Sequence, residues 1–151
     1  MNNLGIPTAE DPDGGDGWGA FIATSAINPA NWTRSYSKSG YLDPLPPRSN
    51  LAVLPNATVT KLVFQNATGG LAAKSVQYAS AKGATSSSVN VNKEVILAAG
   101  AIGSPQILMV SGVGPADVLQ AAGVSVNVEL PGVGQHLQDH IVRAIFTRFL
   151  R

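Results

Sequence analysis

The chain has 151 residues, 44% of them apolar and 13% charged, and its ten basic and nine acidic side chains leave a formal net charge of +1. That length is enough for one domain with a core, and the composition is too apolar for a disordered segment and too interrupted for a membrane span. No row of Lys and Arg stands ready to displace the counterions of a polyanion, which argues against nucleic acid as a partner, and the absence of cysteine removes disulfides and thiolate metal sites.

The first fifty residues carry little periodicity. Glu10-Asp11-Pro12-Asp13-Gly14-Gly15-Asp16-Gly17 is turn chemistry, and Pro44, Pro46 and Pro47 punctuate the end of the region. So long an irregular stretch suits a segment that covers something else better than a self-sufficient fold. Trp18 and Trp32 lie in it and could border a substrate pocket, although packing or a surface contact is the commoner fate of such side chains. Asp43 and Arg48 read as loop charges. Three Asn-x-Thr triplets, starting at Asn31, Asn56 and Asn66, favour a secretory origin. The first residues show neither a charged n-region nor an apolar h-region, so any leader would be encoded upstream.

From Leu51 the pattern changes. Leu51–Leu54 is a short apolar run stopped by Pro55. Ala57–Phe64 predicts a strand, Asn66–Gly70 a hairpin turn, and Leu71–Ala79 the returning strand. After a turn over Lys82–Ser88, Val89–Ala99 predicts a third strand whose end, Val95–Ala99, is continuously apolar as in a strand buried on both faces. The first two strands form a β-meander beside it. Ser104 and Pro105 predict the N-cap and first residue of a helix that continues through Ile107, Leu108 and Ser111. Pro115 opens a second helix over Ala116–Ala122, closed by Gly123. Val124–Leu130 reads as a strand, Pro131–Gly134 as a tight loop, and Ile141–Leu150 as a further extended stretch.

Chemistry concentrates where the apolar strand meets the first helix. Small residues at a strand's carboxyl end let a cofactor approach the backbone, and a helix start offers unpaired N–H groups and the positive dipole end to a phosphate or a reduced flavin. By physics alone the corner serves equally for close packing of helix on strand.

A resemblance adds to this reading. The segment Gly100-Ala101-Ile102-Gly103-Ser104-Pro105-Gln106-Ile107-Leu108-Met109-Val110-Ser111-Gly112-Val113-Gly114 resembles the second signature of the glucose–methanol–choline (GMC) oxidoreductases. Lys93–Gly100 is similar to the strand before that signature. Leu130–His140 resembles the downstream Pro-Gly-Val-Gly-x-Asn-Leu-x-Asp-His stretch, with His136 where the family usually has Asn. Arg34–Leu42 and Asn50–Leu54 also match in kind. The Gly17-Trp18 and Tyr41-Leu42 steps point toward the fungal aryl-alcohol and sugar oxidoreductase branch.

The resemblance implies an α/β fold: a partial FAD-binding domain of a two-domain flavoprotein, with a β-meander and flanking segments. Residues 1–50 would reach toward the substrate side, 51–140 would belong to the FAD domain, and 141–151 would start a substrate-domain strand. It implies FAD as cofactor, contacted by Val59 through its backbone N–H and C=O and lined by Ala98, Ala99 and Gly100. It implies an alcohol substrate, oxidised to the carbonyl by hydride transfer to the flavin, and an electron acceptor such as oxygen. The family's Gly-x-Gly-x-x-Gly fingerprint and catalytic His have no counterpart in these residues, so no catalytic residue is assigned. Two rival readings remain: a non-catalytic remnant of the same family, and a small α/β binding domain without flavin. His136 and His140 would share a face on a helix, as in some zinc sites, but zinc lacks a third ligand there and no metal is assigned.

Overall fold

The computed structural model describes residues 5–15 and 18–140. They divide into two compact units, Met1–Ala52 and Val53–Arg151. The extended stretch expected over 141–150 lies outside the described residues.

Local hydrogen bonds organise the first unit. Ala20 donates its N–H to the carbonyl of Pro7 at 2.8 Å, and Ala9 donates to the carbonyl of Ala20 at 3.1 Å, making a parallel bridge at Thr8 and Ala20. An antiparallel bridge between Ile27 and Arg34 closes a small loop. Further on, Lys38–Leu42 form one wide π-helical turn, closed by the Asp43 N–H on the Lys38 carbonyl at 2.9 Å. The Lys38 ammonium spans the same turn to reach the Asp43 carboxylate at 2.7 Å. Asp43, expected as a plain loop charge, therefore pins a turn. Trp18 and Trp32 stand largely in the open, at 76% and 81% exposure.

The second unit is a mixed α/β assembly. β1 (Thr58–Ala67) and β2 (Gly70–Ala79) form the expected hairpin, in register from Thr58 opposite Ala79 to Ala67 opposite Gly70. Only Thr68 and Gly69 are left for the connection. Gly69 and Gly70 take φ of 100° and 131°, which residues with a Cβ resist. β3 (Ser87–Asn90) pairs antiparallel with β2, giving the order β1-β2-β3.

Three sequence expectations need correction here. The third strand ends at Asn90 rather than Ala99. Val95–Ala98 joins no ladder, Ala99 already bends into the helix at φ −88° and ψ 13°, and Ile96 is 81% exposed. A strand is buried on both faces only when neighbours and layers flank it, and none of the described strands pairs with this one; its apolar content alone cannot bury it. The first helix, α1, runs Gly100–Val110, so Ser104 and Pro105 lie inside it. Gly100 makes the early start possible with φ +83°, after which the chain winds on as a helix. Ser104 still serves the helix start from within, because its Oγ accepts the Ala99 N–H at 3.0 Å. Pro105 withholds the N–H that the Ala101 carbonyl would otherwise receive. The third correction concerns length: the strand expected over Val124–Leu130 shortens to β5 (Val128–Glu129), parallel to β4 (Val113–Gly114).

The second helix follows its forecast closely. α2 spans Ala116–Ala121 with Pro115 as N-cap, and Gly123 leaves it at φ +69° with its N–H on the Gln120 carbonyl.

The core of this unit sits where α1 ends. Leu62 of β1, Val113 of β4 and Leu119 of α2 are its buried apolar side chains among the described residues, with Ser75 and Ser111 as buried polar ones. Ser111 ties the layers together. Its Oγ accepts the Leu62 N–H at 2.8 Å and donates to the Ile107 carbonyl at 2.5 Å, while its own carbonyl accepts from Asn127 Nδ2 at 2.8 Å. Gly112 permits the approach: at φ +83° an added Cβ would strike the Ser125 carbonyl and lie 2.7 Å from Asn127 Nδ2.

Candidate functional site

The residues that the sequence singles out lie on two elements of the second unit. Val59 is on β1, and Ala98, Ala99 and Gly100 form the corner that leads into α1. α1 packs against β1 through the Ser111–Leu62 link.

β1 is an edge strand, so alternate residues turn both N–H and C=O away from β2. The Leu62 N–H faces outward, onto Ser111. Along β2, the carbonyls of Lys74 and Tyr78 face the β3 side, where they accept from Val91 and from Ser86 Oγ. Tyr78 is opposite Val59, and the extra residue between Val59 and Lys61 keeps the alternation in step. Val59 therefore presents its donor and acceptor to the open edge. A donor next to an acceptor in one plane matches the edge of a planar heterocycle.

At the corner, Ala98, Ala99 and Gly100 are exposed. Ser104 occupies the Ala99 N–H, which leaves the amides of Gly100, Ala101 and Ile102 at the head of an eleven-residue helix without intrahelical acceptors. No side chain caps them, and no acidic residue lies in the first turn. The donor set suits an anionic or hydrogen-bond-accepting group. An added Cβ at Gly100 would meet nothing within 4 Å, so glycine is needed there for its positive φ rather than for close approach.

Two clefts adjoin these residues. One of about 690 Å³ lies beside the β1–β2 ladder, where Thr58, Thr60, Lys61, Gln77, Lys82 and Ser86 contribute polar groups. The other, about 370 Å³, lies between α1 and the loop around Gly134 and is lined by Ile102, Pro105, Gln106, Met109 and Leu137 among others. Thr58 and Thr60 flank Val59, and Ala101 and Ile102 follow Gly100, but neither lining contains any of the four singled-out residues. The sequence reading missed both clefts. The spacing of Ile102, Gln106 and Met109 along one helical face was the available signal for the second.

His136 and His140 share no helical face. The chain around them is irregular, and His136 sits at φ 57°. Asn enters that left-handed region more readily than most residues, which explains why Asn suits the position in the resembling stretch and how His can replace it. Among the described residues no group of three His, Asp or Glu side chains could hold a metal, and no helix is long and apolar enough to cross a membrane.

Comparison with known proteins bears on the whole chain. The family model described as GMC oxidoreductase, N-terminal part, matches residues 1–142. A GMC oxidoreductase family protein of Malassezia sympodialis, Mala s 12, is 47% identical over 131 residues, which is 87% of this chain and 21% of that protein. The structure of an FAD-dependent oxidoreductase from Chaetomium thermophilum superposes with a TM-score of 0.76 at 36% identity, covering 87% of this chain and 22% of that one. A fungal aryl-alcohol oxidase superposes with a TM-score of 0.77 at 32% identity, covering 87% and 21%. The chain thus spans about a fifth of the length of these relatives. Its mixed α/β architecture matches the corresponding part of GMC flavoproteins, and with 142 of its residues under one family model the chain belongs to the GMC oxidoreductase family.

Proposed function

We propose that the chain forms part of the FAD site of an oxidoreductase acting on CH–OH donors, converting an alcohol to the carbonyl with an acceptor such as oxygen taking the electrons. The observation that carries this reading is the exposed corner at Ala98–Gly100 that leads into α1, with its uncapped amides, inside a family match that covers nearly the whole chain. The aryl-alcohol oxidase among the structural neighbours supports an alcohol as donor.

When bound, FAD supplies the hydride acceptor. The chain's own residues hold and orient it. Val59 would offer its outward N–H and C=O to the adenine edge. Ala98, Ala99 and Gly100 keep the backbone bare, which would let the nucleotide approach, and the first amides of α1 would favour its negative charge. None of the 151 residues matches the base that would remove the alcohol proton, so the chain by itself binds without turning over. The unpaired apolar run Val95–Ala98, with Ile96 exposed, favours the same division between holding the cofactor and performing the reaction, since such a run suits pairing with further strands.

Titration of the full chain with FAD tests the reading. FAD should raise the melting temperature, as any ligand selective for the folded state does. Ala99→Glu, which sets a carboxylate at an exposed position beside the uncapped amides, should weaken binding by about tenfold while leaving the melt of the free chain unchanged or slightly raised. A chain whose melting and flavin absorbance ignore FAD would overturn the proposal.

A further inference from the structure

The three Asn-x-Thr triplets play no part in the flavin reading, and the structure distinguishes one of them. Asn31 lies at the tip of a closed loop. Asn28 donates its N–H to the Thr33 carbonyl at 2.8 Å, Trp32 donates to the Asn28 carbonyl at 2.8 Å, and Ser35 donates to the Ala26 carbonyl at 2.8 Å. The Ile27–Arg34 bridge seals the loop behind them. Asn28 also folds its side chain back, Oδ1 accepting the Ala30 N–H at 2.9 Å.

Within this loop, Asn31 Oδ1 accepts two hydrogen bonds from Thr33, from the backbone N–H at 3.1 Å and from Oγ1 at 2.7 Å. Its Nδ2 donates to no described group. Asn31, Trp32 and Thr33 are all exposed. Trp32 takes φ 59°, unusual for a bulky residue, and that conformation turns the chain so that Thr33 faces the Asn31 carboxamide. Asn56 and Asn66 are also exposed, but no hydroxyl reaches either carboxamide. Asn66 is in the β1 ladder, and Asn56 precedes Thr58 on the rim of the larger cleft.

We infer that Asn31 is an acceptor for N-linked glycan. The donor class is an oligosaccharide carried on a lipid pyrophosphate. Asn31 Nδ2 forms a bond to C1 of the first sugar, the bond from that C1 to the pyrophosphate oxygen breaks, the lipid pyrophosphate leaves with the electron pair, and Nδ2 gives up one proton. Two donors on Oδ1 stabilise the negative charge that gathers there as Nδ2 loses its proton, which eases the deprotonation that must accompany bond formation. The device spans three consecutive residues, so it needs no long-range packing and is available to the chain before it folds. Afterwards the loop tip leaves room for a bulky, solvated group without burying it.

The test routes the full chain, behind a cleavable leader, through the secretory pathway of a eukaryotic host. Peptide N-glycosidase then converts each glycan-bearing asparagine to aspartate, and peptide mapping reads the positions. Aspartate should appear at position 31 in most molecules, Thr33→Ser should retain the modification, and Asn31→Gln and Thr33→Ala should each abolish the mass shift it causes. Microsomal vesicles read the same site without requiring the variants to fold. Conversion at Asn56 or Asn66 with position 31 unchanged, or no conversion at all, would overturn the inference. Neither outcome touches the flavin reading, which FAD titration tests separately.

Discussion

The amide of Leu62 donates to Ser111 Oγ at 2.8 Å, joining residues 49 apart in sequence, and both groups are buried. Through this one bond the edge of β1 meets the end of α1, and the same hydroxyl donates onward to the Ile107 carbonyl. Ser111→Ala would leave the Leu62 N–H buried without a partner. Such a loss costs about 1–3 kcal/mol, so the variant should unfold at a visibly lower urea midpoint with an unchanged slope.

Two glycines in the left-handed region should respond differently to alanine. At Gly112 an added Cβ collides with the Ser125 carbonyl, and backbone cannot step aside cheaply; at Gly123, φ +69°, it meets nothing within 4 Å. Gly123→Ala should therefore cost only the conformational penalty of about 1–2 kcal/mol. Gly112→Ala should cost clearly more, and thermal melts of the two variants measured side by side decide the order.

Val59 offers a test of backbone function. Because its N–H faces away from β2, Val59→Pro removes a donor without breaking the ladder, as edge strands tolerate. The variant should melt close to the parent while losing most of the FAD-dependent rise, whereas Val59→Ala should keep it. A large loss of stability in Val59→Pro would show that the amide belongs to the ladder after all.

His136 is expected to be replaceable by the residue that best fits its backbone. With φ 57° and an exposed side chain, His136→Asn should be neutral or slightly stabilising. His136→Val should lose about 1–2 kcal/mol, because β-branched residues resist the left-handed region. Chemical denaturation of the three forms measures the difference.

The Lys38–Asp43 pair makes a pH prediction. The hydrogen bond that Lys38 donates to the Asp43 carboxylate, and then that carboxylate's charge, raise the Lys38 ammonium above its ordinary pKa of 10.5. A raised folded-state pKa means that the pair's contribution is fully present below about pH 10.5 and disappears as pH climbs through the higher folded value. Both partners are about half exposed, so salt should screen the effect. Asp43→Asn should bring the Lys38 titration, followed by NMR, back toward 10.5 and leave the melting temperature nearly unchanged.

Much of the second unit was legible in the chain itself. The β1–β2 hairpin, its glycine turn and α2 with Pro115 before it and Gly123 after it all follow from neighbours within a few positions. Boundaries that depend on distant partners were not legible. The run Val95–Ala99 reads as a buried strand, yet burial is conferred by flanking strands and layers, and the sequence of a strand cannot say whether they are present. The start of α1 was misplaced because Ser104 and Pro105 carry the local marks of a helix beginning, while the positive φ of Gly100 sets the true one.

Of the candidate site, sequence by itself determined the family and the four residues Val59, Ala98, Ala99 and Gly100 as the place to look, because a signature is an ordered string of residue types and needs no coordinates. Tertiary structure decided what those positions present. Pairing opposite Tyr78 turns the Val59 amide and carbonyl to the open edge, Ser104 removes one amide at the corner and leaves the next ones bare, and the turn at Trp32 brings Thr33 onto Asn31. Each of these depends on where a hydrogen-bonding group points, and direction is fixed by backbone geometry and partners rather than by residue identity.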